Sequence, residues 1–450
     1  IRKKEICYND TGETMNIIEI ITKKKDKKIL SKKEIFYVIE SYVQGKIEDY
    51  QMSSLLMAIC INGMTGEETS YLTEAMLKSG DEMNLSFIEG KKVDKHSTGG
   101  VGDKTTLVLA PLVASCQVPV AKMSGRGLGF TGGTIDKLES IQGFQTALKE
   151  EEFKNQVKEI GVAIASQTGN LAPADKKIYA LRDVSGTVES IPLIASSIMS
   201  KKLASGADQL VMDVKVGKGA LMKTLKDAEE LAHTMISIGN HHKKDVCCFL
   251  TNMKEPLGYT VGNGLEVLEA IETLKGNGPK DLEELTLTLA AQMISMGKSI
   301  SFEEAKKEAY ENLKNGNAYQ KFLQLVQYQH GNIQQIALSE KQKEICSPVS
   351  GYLHEIDPLK IGMLVKELGA GRMTKEDKIN YGVGIVLAKK VGDYVNKGGK
   401  LLTIYYEKEP NVDLFLEPFD IQNEPCEKEP LIYKRINSCK EMSKNQKNIE

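Results

Sequence analysis

The sequence predicts an α/β protein built from a small all-helical domain, a large α/β domain with a mostly parallel sheet, and a C-terminal α+β domain. Three observations lead to this prediction. Helical patterns alone fill the first 80 residues, short apolar runs then alternate with glycine-rich loops and helices, and glycine-separated β-prone runs follow from Cys346. A length of 450 residues also favours two or three domains over one.

The helical domain is expected to begin with residues 15–80. Ser31 and Glu34 have the spacing of a capping box, in which each side chain satisfies a backbone N–H at the start of a helix. Thr65 and Glu68 repeat that spacing. Apolar residues follow both boxes at intervals of three and four, as they do on one face of a helix. We therefore expect a helix after each box.

The α/β domain is expected over residues 91–168 and 206–340. A helix predicted over residues 191–202 interrupts its strand–helix alternation. The strands are predicted at short apolar runs, namely 118–121, 162–165, 210–214 and 246–250.

The C-terminal domain is expected over residues 346–407, where glycines separate short β-prone runs. Residues 1–14 and 408–450 are interpreted as extensions. Because they are polar and the last of them are rich in lysine, we expect part of these extensions to be disordered.

Composition limits the classes of function. The 59 basic and 61 acidic residues nearly cancel, which disfavours a nucleic-acid binder that relies on bulk charge. The eight cysteines include no C-x-x-C pair, so we expect reduced thiols in a cytoplasmic protein. Residues 1–13 lack the apolar core of a signal peptide. The apolar stretch 105–121 is shorter than the roughly 20 residues of a membrane span, and we expect no membrane association.

The first segment with chemical content is 95–103, Lys-His-Ser-Thr-Gly-Gly-Val-Gly-Asp, which runs into an apolar helix. Glycines and small hydroxyl residues let backbone N–H groups converge on an anion, and a helix N-terminus adds the positive end of its dipole. Lys95 adds a full charge. The segment therefore predicts an anion site, with a plain strand-to-helix turn as the alternative. It matches neither a Walker A sequence nor a dinucleotide-binding fingerprint.

The second segment, 124–139, has five glycines within nine residues. Because glycine costs folding entropy, close approach of the backbone to a ligand explains this density better than folding does. Ser124 and Thr134 are candidate phosphate donors. Arg126, Asp136 and Glu139 are interpreted instead as a structural ion-pair set that holds the loop.

The third set of residues follows these loops. Ser197 and Lys201 stand four residues apart in the predicted helix and should share one face. Together with Arg182, they could bind the carbonyl and imide edge of a planar base. Alone, this pattern is weak, because a surface lysine and a helix-capping arginine are commoner than a binding triad.

The second segment resembles the signature of thymidine and pyrimidine-nucleoside phosphorylases: Ser-Gly-Arg-Gly-Leu-Gly, then Thr-Gly-Gly-Thr-x-Asp-x-Leu-Glu. Residues 95–100, 171–177, 179–183 and 196–202 resemble further sequence blocks of the same family, and they occur in the same order and at matching spacing. The resemblance implies that residues 174–204 join residues 15–80 in the helical domain. It also implies a homodimer formed through that domain, and an active site in the cleft between the helical and α/β domains.

The resemblance assigns residues to both sides of this cleft. Phosphate would be held by Lys95, Ser97, Thr106, Ser124 and Thr134. The pyrimidine would be held by His96, Arg182, Ser197 and Lys201, with Lys122 and Tyr179 also in the substrate site.

The implied activity is phosphorolysis of uridine, thymidine and deoxyuridine to free base and α-D-(deoxy)ribose 1-phosphate, in pyrimidine salvage. Inorganic phosphate is the co-substrate. Because phosphate attacks C1′ while the base departs, negative charge moves onto the base, and donors to its carbonyls stabilise that charge. His96, Arg182 and Lys201 would be the catalytic residues.

Lys122 stands where broad-specificity relatives have lysine and thymidine-restricted ones methionine, so uridine should be cleaved as well as thymidine.

The resemblance also implies a structural cation, often potassium. Its ligands would lie at Gly102, Lys104, Leu257, Thr260 and Glu269. Lys104 replaces a threonine of close relatives. The change is harmless if only the carbonyl of this residue binds the ion, but it weakens the site if a hydroxyl is needed.

Other departures concern Phe130, Gln142 and Leu221, where relatives usually have histidine, often proline, and phenylalanine, respectively. These substitutions are expected to affect the rate of the reaction and the packing of the loop more than the type of reaction. Closure of the cleft is expected at hinges near residues 80–90, 168–173 and 205–206.

Two other functions are compatible with parts of this sequence. A catalytically silent binding protein would be expected to lack some of the site residues, but Lys95, Arg182, Ser197 and Lys201 are all present. A phosphoribosyltransferase would bind a pyrophosphoryl sugar through magnesium and an acidic pair, for which Asp136 and Glu139 are the candidates. The base-binding residues fit phosphorolysis better.

Overall fold

The computed structural model describes residues 15–127, 132–167, 170–372 and 377–438. The helices are α1 (Ile17–Lys25), α2 (Lys32–Val43), α3 (Asp49–Asn62), α4 (Gly66–Leu77), α5 (Thr105–Ser115), α6 (Thr134–Leu138), α7 (Glu150–Ile160), α8 (Pro173–Arg182), α9 (Ile191–Ala204), α10 (Leu225–His241), α11 (Asn263–Leu274), α12 (Lys280–Lys298), α13 (Phe302–Lys314), α14 (Asn317–Tyr328) and α15 (Pro358–Val365). The strands are β1 (Val93–Ser97), β2 (Val120–Ser124), β3 (Val162–Ser166), β4 (Gln209–Val216), β5 (Asp245–Asn252), β6 (Thr260–Val261), β7 (Gln342–Cys346), β8 (Gly351–Ile356), β9 (Gly384–Leu387), β10 (Tyr394–Val395), β11 (Lys400–Tyr405), β12 (Phe419–Gln422) and β13 (Ile432–Asn437). The predicted fold class, with its three parts, is confirmed.

Helices α1 to α4 form a bundle that α8 and α9 complete. Both predicted capping boxes are present, at the starts of α2 and α4. Glu68 of the second box also accepts a hydrogen bond from the buried Lys24 Nζ at 2.8 Å, which ties α4 to α1. Ile178 of α8 and Leu193 of α9 lie in the same apolar core as the N-terminal helices. The two distant chain segments therefore share one core.

The α/β domain contains a mostly parallel sheet. Strand β4 pairs in parallel with β1 and β5, and β2 pairs in parallel with β3. Strand β2 also lies next to β1. The carboxyl ends of β1, β2 and β3 are Ser97, Ser124 and Ser166. Because ligands of open parallel sheets bind outside the carboxyl ends of the strands, this edge is where a site is expected.

The sequence-based interpretation of residues 408–450 as an extension is wrong for the part up to residue 437. Strand β12 pairs with β8, and β13 forms an antiparallel edge strand beside β5 of the α/β sheet. Ile436 of β13 is buried against the sheet. The apolar residues of β13 form a short run surrounded by charged residues. Their alternation with polar residues is too weak a pattern to predict a strand. Residues 1–14 and 439–450 lie outside the described residues.

The connections between the helical bundle and the α/β domain lie side by side. The N–H of Asp81 donates to the carbonyl of Asn170 at 3.0 Å, and that of Met83 donates to the carbonyl of Ala204 at 2.8 Å. Gly206 has φ +82°, and a Cβ there would lie 2.4 Å from the Met83 carbonyl oxygen. Only glycine fits this crossing. Closure at these connections stays a prediction.

The C-terminal domain contains two antiparallel sheets. One has the order β6-β9-β11-β7, and the other has the order β10-β8-β12. Val101, from the loop after β1, and Val261, from β6, are buried in the apolar core of this domain. The C-terminal domain therefore packs directly against the loop for which the sequence predicts an anion site.

Within the described ranges, no helix combines the length and the apolar character needed to cross a bilayer. The most apolar stretch of the sequence forms α5, which is buried from Thr105 to Ala114 and contains Pro111. It packs against α12 and α14, so its apolar surface is covered by the protein itself.

Candidate active site

The first glycine-rich segment forms the loop between β1 and α5. Ser97 Oγ donates to Asp103 Oδ2 at 2.6 Å and accepts from the N–H of Gly99 at 3.1 Å, so the serine spans the loop. Gly102 has φ +73°, and a Cβ there would lie 2.7 Å from the Leu257 carbonyl oxygen. The loop therefore needs glycine at this turn, both for its backbone conformation and for its close approach to residue 257.

Lys95 lies beneath this loop. Its buried ammonium is 3.3 Å from Asp213 Oδ2 and 4.0 Å from Asp103 Oδ2. Lys215 Nζ lies 2.8 Å from the same oxygen of Asp213. Among the described residues, Lys95 Nζ has no hydrogen-bond acceptor. A buried ammonium with unused donors is available for an anion bound in the loop.

Asp103 keeps the loop and the lysines together. Burial by itself would raise the pKa of this carboxyl, but Lys95, Lys215 and Lys137 and the hydrogen bond from Ser97 hold the pKa well below its usual range. The ionised carboxylate also accepts from the N–H of Thr105 at 3.2 Å. The first turn of α5, which carries the buried Thr106, is thereby anchored to the loop.

The second glycine-rich segment follows β2. Ser124 ends this strand, pairs in register with Ser166 of β3 and is half-buried. Thr134 is the first residue of α6 and is also half-buried. The two hydroxyl residues therefore stand at the two ends of the second glycine-rich segment, Ser124 at the carboxyl end of β2 and Thr134 at the start of α6.

The predicted ion-pair set of the second segment is confirmed. Arg126 Nη1 lies 3.0 Å from Asp136 Oδ1, and its two terminal nitrogens donate to the Glu139 carboxylate at 2.5 and 2.7 Å. Arg372 Nη2 donates to Asp136 Oδ1 at 3.1 Å, and Tyr381 Oη donates to Glu139 Oε2 at 3.0 Å. Both carboxylates are thus occupied by side chains of the protein.

A buried carboxylate joins the helical bundle to the sheet. Asp94 Oδ2 of β1 accepts from Lys202 Nζ of α9 at 2.7 Å, and Asp94 Oδ1 lies 3.3 Å from Lys122 Nζ of β2. Lys202 also donates to the carbonyl of Met123 at 3.2 Å. Lys122 donates to the carbonyl of Lys95 at 2.5 Å. Helix α9 is therefore bonded to the two strands that end in the glycine-rich segments.

Burial and four nearby lysines both lower the pKa of His96. Burial lowers the pKa of this imidazole well below its usual value, and the positive charges of Lys202, Lys122, Lys201 and Lys95 lower it further. His96 is therefore neutral at physiological pH. A neutral imidazole can still donate one N–H to a ligand oxygen.

The predicted pairing on α9 is present. Lys201 Nζ donates to Ser197 Oγ at 2.8 Å and to Asp175 Oδ2 of α8 at 2.5 Å. The half-buried ring of Tyr179 lies between two cations, with its centroid 5.8 Å from Lys201 Nζ and 5.6 Å from Arg182 Cζ. Ser197, Lys201 and Tyr179 thus form one polar patch on the helical side.

Arg182 is placed differently from the sequence-based prediction of a base-binding guanidinium. Its side chain is buried and donates to three backbone carbonyls, of Thr187 at 3.2 Å, Val188 at 2.7 Å and Leu193 at 3.0 Å. These carbonyls belong to the turn between α8 and α9 and to the first turn of α9. The guanidinium therefore holds that connection together, and only its remaining N–H groups could reach a ligand.

The expected potassium site is not formed by its predicted residues. Lys104 Nζ itself donates to the carbonyls of Leu257 and Thr260 and to Glu269 Oε2, at 2.8, 2.9 and 2.5 Å. The Lys104 carbonyl accepts from the N–H of Leu107, and that of Gly102 accepts from the N–H of Lys104. An ammonium cannot be a ligand of a cation. The side chain of Lys104 is therefore not a ligand, and its ammonium already occupies the oxygen set in which an added ion would lie.

Of the other departures from the family pattern, Phe130 lies outside the described residues, as does Thr168 in a predicted hinge. Gln142 is exposed, and its N–H donates to the Gln335 carbonyl at 2.8 Å. Leu221 is half-buried against the core of the α/β domain.

The sequence analysis gave no role to four charged residues that the structure places against the predicted site residues or against one another, namely Asp94, Asp175, Lys202 and Asp213. One sequence pattern could have indicated Asp213: it stands with Lys215 in the otherwise apolar run Leu-Val-Met-Asp-Val-Lys-Val, where a charge must be paired to be buried. Asp94 and Lys202 are adjacent to predicted site residues but carry no local pattern of their own.

Three family models match the chain. The helical bundle domain of the glycosyl transferase family covers residues 18–80, and the a/b domain of that family covers residues 89–319. The pyrimidine nucleoside phosphorylase C-terminal domain covers residues 352–423. Fold and site therefore define a member of the glycosyl transferase family with a helical bundle and an a/b domain.

Individual relatives are similar over nearly the whole chain. The chain is 54% identical over 413 residues to the pyrimidine-nucleoside phosphorylase of Staphylococcus haemolyticus, which covers 90% of this chain and 95% of that protein. It is 53% identical over 413 residues to that of Staphylococcus aureus strain N315, with the same coverage. The chain belongs to the pyrimidine-nucleoside phosphorylase family.

A solved structure shares the fold at much lower identity. Anthranilate phosphoribosyltransferase from Thermus thermophilus superposes with a TM-score of 0.57 and 18% identity, covering 70% of this chain and 99% of that chain. At this identity the likeness concerns the fold alone.

The substitution Arg182→Lys is expected to lower thermal stability. One ammonium cannot replace the planar fork that binds three carbonyls, and each buried carbonyl left without a donor costs about 1–3 kcal/mol. Tm should therefore fall by several degrees, as measured by circular dichroism. Lys176→Ala, at an exposed position of the same helix, is the control and should leave Tm unchanged. An unchanged Tm for Arg182→Lys, combined with a raised KM for nucleoside, would contradict this structural role.

Proposed function

We propose that this chain catalyses phosphorolysis of pyrimidine nucleosides, namely uridine, thymidine and deoxyuridine, to free base and α-D-(deoxy)ribose 1-phosphate. The observation that carries the proposal is the bond between Lys202 and Asp94. It holds α9, with Ser197 and Lys201, against β1, which ends in the lysine and serine of the first glycine-rich loop.

The loop after β1 supports the assignment of phosphate to the sheet side. Lys95 offers ammonium donors that the described residues leave unused, and the start of α5 faces the same loop. Ser97, Thr106, Ser124 and Thr134 would add hydroxyl donors. Positioned behind C1′ of the sugar, phosphate would attack as the base departs and would invert the anomeric centre. Positioning of this kind supplies a large part of a catalytic effect.

The helical side would stabilise the departing base. Lys201 carries a full charge next to Ser197, and His96, which is neutral, can donate an N–H to a base carbonyl. Lys201 is held in place by Asp175 and Ser197, and donors held in this way can stabilise the negative charge as it develops. Asp175 would orient Lys201, and Arg182 would contribute through the N–H groups that the backbone carbonyls leave free.

The rival phosphoribosyltransferase activity is less well supported by the geometry. Such enzymes need carboxylates that are free to bind magnesium, and Asp136 and Glu139 are the candidates. Both are occupied, since Arg126 bonds to each of them. Fold similarity to a phosphoribosyltransferase does not alter this chemical argument.

A homodimer through the helical domain is part of the proposal. Tyr50, Met57 and Ile61 lie on one face of α3, and 71%, 39% and 74% of these side chains are exposed. Ile18 of α1 is exposed as well. A row of exposed apolar residues is typical of an interface between subunits. We further propose that the enzyme acts in pyrimidine salvage in the cytoplasm.

The activity is tested by mixing the purified chain with uridine, thymidine or deoxyuridine and following base release by absorbance. Base release is expected only when phosphate is present, and a purine nucleoside should not react. Ser124→Ala should raise KM for phosphate by about tenfold, the effect of one lost hydrogen bond to a charged group. If a folded protein releases no base from any of the three nucleosides with phosphate, the proposal fails.

Lys122 is expected to favour the ribonucleoside through its charge. Burial, together with Lys202 and Lys95, lowers the pKa of Lys122 to about 7, although Asp94 opposes this shift. The fraction of charged Lys122 therefore falls as pH rises through this value. The ratio of kcat/KM for uridine to that for thymidine should fall in the same range. In Lys122→Met this ratio should be lower and independent of pH. A ratio that the substitution leaves unaltered would contradict the assignment.

Dimerisation is tested by sedimentation equilibrium. The paired substitution Met57→Glu and Ile61→Glu should raise the dissociation constant at least about a hundredfold, because it would bury two unpaired carboxylates. Tyr310→Glu, at an exposed apolar position on α13 outside the bundle, is the matched control and should stay dimeric. A wild-type chain that sediments as a monomer would disprove the dimer.

A further inference from the structure

The ammonium of Lys104 lies in a cage of oxygen atoms. Its three neighbours are the carbonyls of Leu257 and Thr260 and one carboxylate oxygen of Glu269, at 2.8, 2.9 and 2.5 Å. The Lys104 side chain is 0% exposed. Because an ammonium has three N–H donors and no acceptor, these three oxygens satisfy it completely.

The cage is held in shape by Glu269. This carboxylate also accepts from the N–H of Tyr259 at 2.9 Å and from Thr260 Oγ1 at 3.1 Å, so it orients the loop that supplies both carbonyls. A Cβ at Gly258 would lie 2.3 Å from Glu269 Oε2 and 3.0 Å from Lys104 Nζ. The backbone therefore closes around the ammonium without space for a side chain at residue 258.

A second lysine, Lys390, binds two other carbonyls of this loop and pairs with a nearby carboxylate. Lys390, from the C-terminal domain, donates to the carbonyl of Pro256 and, at 3.2 Å, to that of Gly258. Its ammonium lies 3.1 Å from Asp281 Oδ2. Asp281 is thus paired with Lys390, which leaves Glu269 as the carboxylate that balances Lys104.

The cage has the chemistry of a cation site, since carbonyl and carboxylate oxygens are the ligands that hard cations take. The negative charge of the cage, which Glu269 carries, is nevertheless already balanced by the Lys104 ammonium. A second positive charge in contact with the first would be repelled strongly in this buried place.

We propose that the Lys104 ammonium is a tethered substitute for the monovalent cation implied by the family resemblance, held by the Leu257 and Thr260 carbonyls and the Glu269 carboxylate. The chain then fixes the start of α5 without binding potassium. Lys104 precedes α5 directly, so it acts on phosphate through the position of Thr106 and of the loop after β1. It is a positioning residue. This effect on phosphate rests on the proposed function, whereas the independence from potassium does not.

The test compares the full chain with Lys104→Thr in potassium chloride and in choline chloride at equal ionic strength, after exhaustive dialysis. Threonine vacates the position of Nζ and offers a hydroxyl oxygen. The wild-type Tm should be the same in both salts. Lys104→Thr should have a lower Tm in choline, and potassium or ammonium ions should restore it saturably, as expected for a bound ion. KM for phosphate should rise about tenfold to a hundredfold in choline and recover with potassium.

Two further variants separate cation replacement from a general packing role. Lys104→Met has a similar length but neither charge nor oxygen, so its lowered Tm should not respond to potassium. Lys307→Thr changes a lysine whose side chain is 79% exposed and should behave as the wild type in both salts.

Direct ion binding is measured by equilibrium dialysis against rubidium, a substitute for potassium. The wild type should bind no stoichiometric rubidium, and Lys104→Thr should bind one ion per chain. One rubidium per wild-type chain, or a folded Lys104→Thr whose Tm ignores potassium, would overturn the proposal. If Lys104→Thr does not fold in either salt, rubidium binding to the wild type still tests the proposal, because one bound ion per chain would overturn it and the absence of a bound ion would support it. Because Tm and rubidium binding need no substrate, their outcome is separate from that of the activity assay.

Discussion

The arrangement of the site depends on one buried carboxylate, Asp94. Burial alone would raise its pKa, but Lys122 and Lys202 lower it, so the carboxylate is ionised and shared between two lysines. A buried charge is costly unless it is paired, and removing one partner leaves the other uncompensated. Strands β1 and β2 and helix α9 must therefore come together at this point. Since α9 carries the residues proposed for the base and β1 those for phosphate, the same interaction determines the separation of the two halves.

The loop before β6 is organised by a related principle. Buried carbonyls must find hydrogen-bond donors, and four carbonyls between residues 256 and 260 accept from lysine side chains. Lys104 donates to residues 257 and 260, and Lys390 donates to residues 256 and 258. One lysine comes from the loop after β1 and the other from the C-terminal domain. The two side chains thus connect the phosphate side of the proposed site to the C-terminal domain through a single turn of backbone.

The features that sequence patterns predicted correctly are those formed by residues close together in the chain. The capping boxes at Ser31 and Thr65, the contact between Ser197 and Lys201, and the Arg126 ion pairs all join residues at most thirteen positions apart in sequence. The long-range partners were not predictable in this way. Nothing near Lys202 in sequence indicates Asp94, and nothing near β13 indicates that it would lie beside β5.

The sequence by itself determined the fold class, the family and a set of candidate site residues in the glycine-rich segments and in helices α8 and α9. Only the tertiary structure decided what several of them do. Arg182 has its guanidinium bound to backbone carbonyls of a turn, and Lys104 occupies with its own ammonium the oxygen cage in which an ion was expected. The physical reason is that a charged side chain takes its role from the groups that solvate it after burial. For these residues, those groups are backbone carbonyls and carboxylates whose positions are known only once the chain has folded.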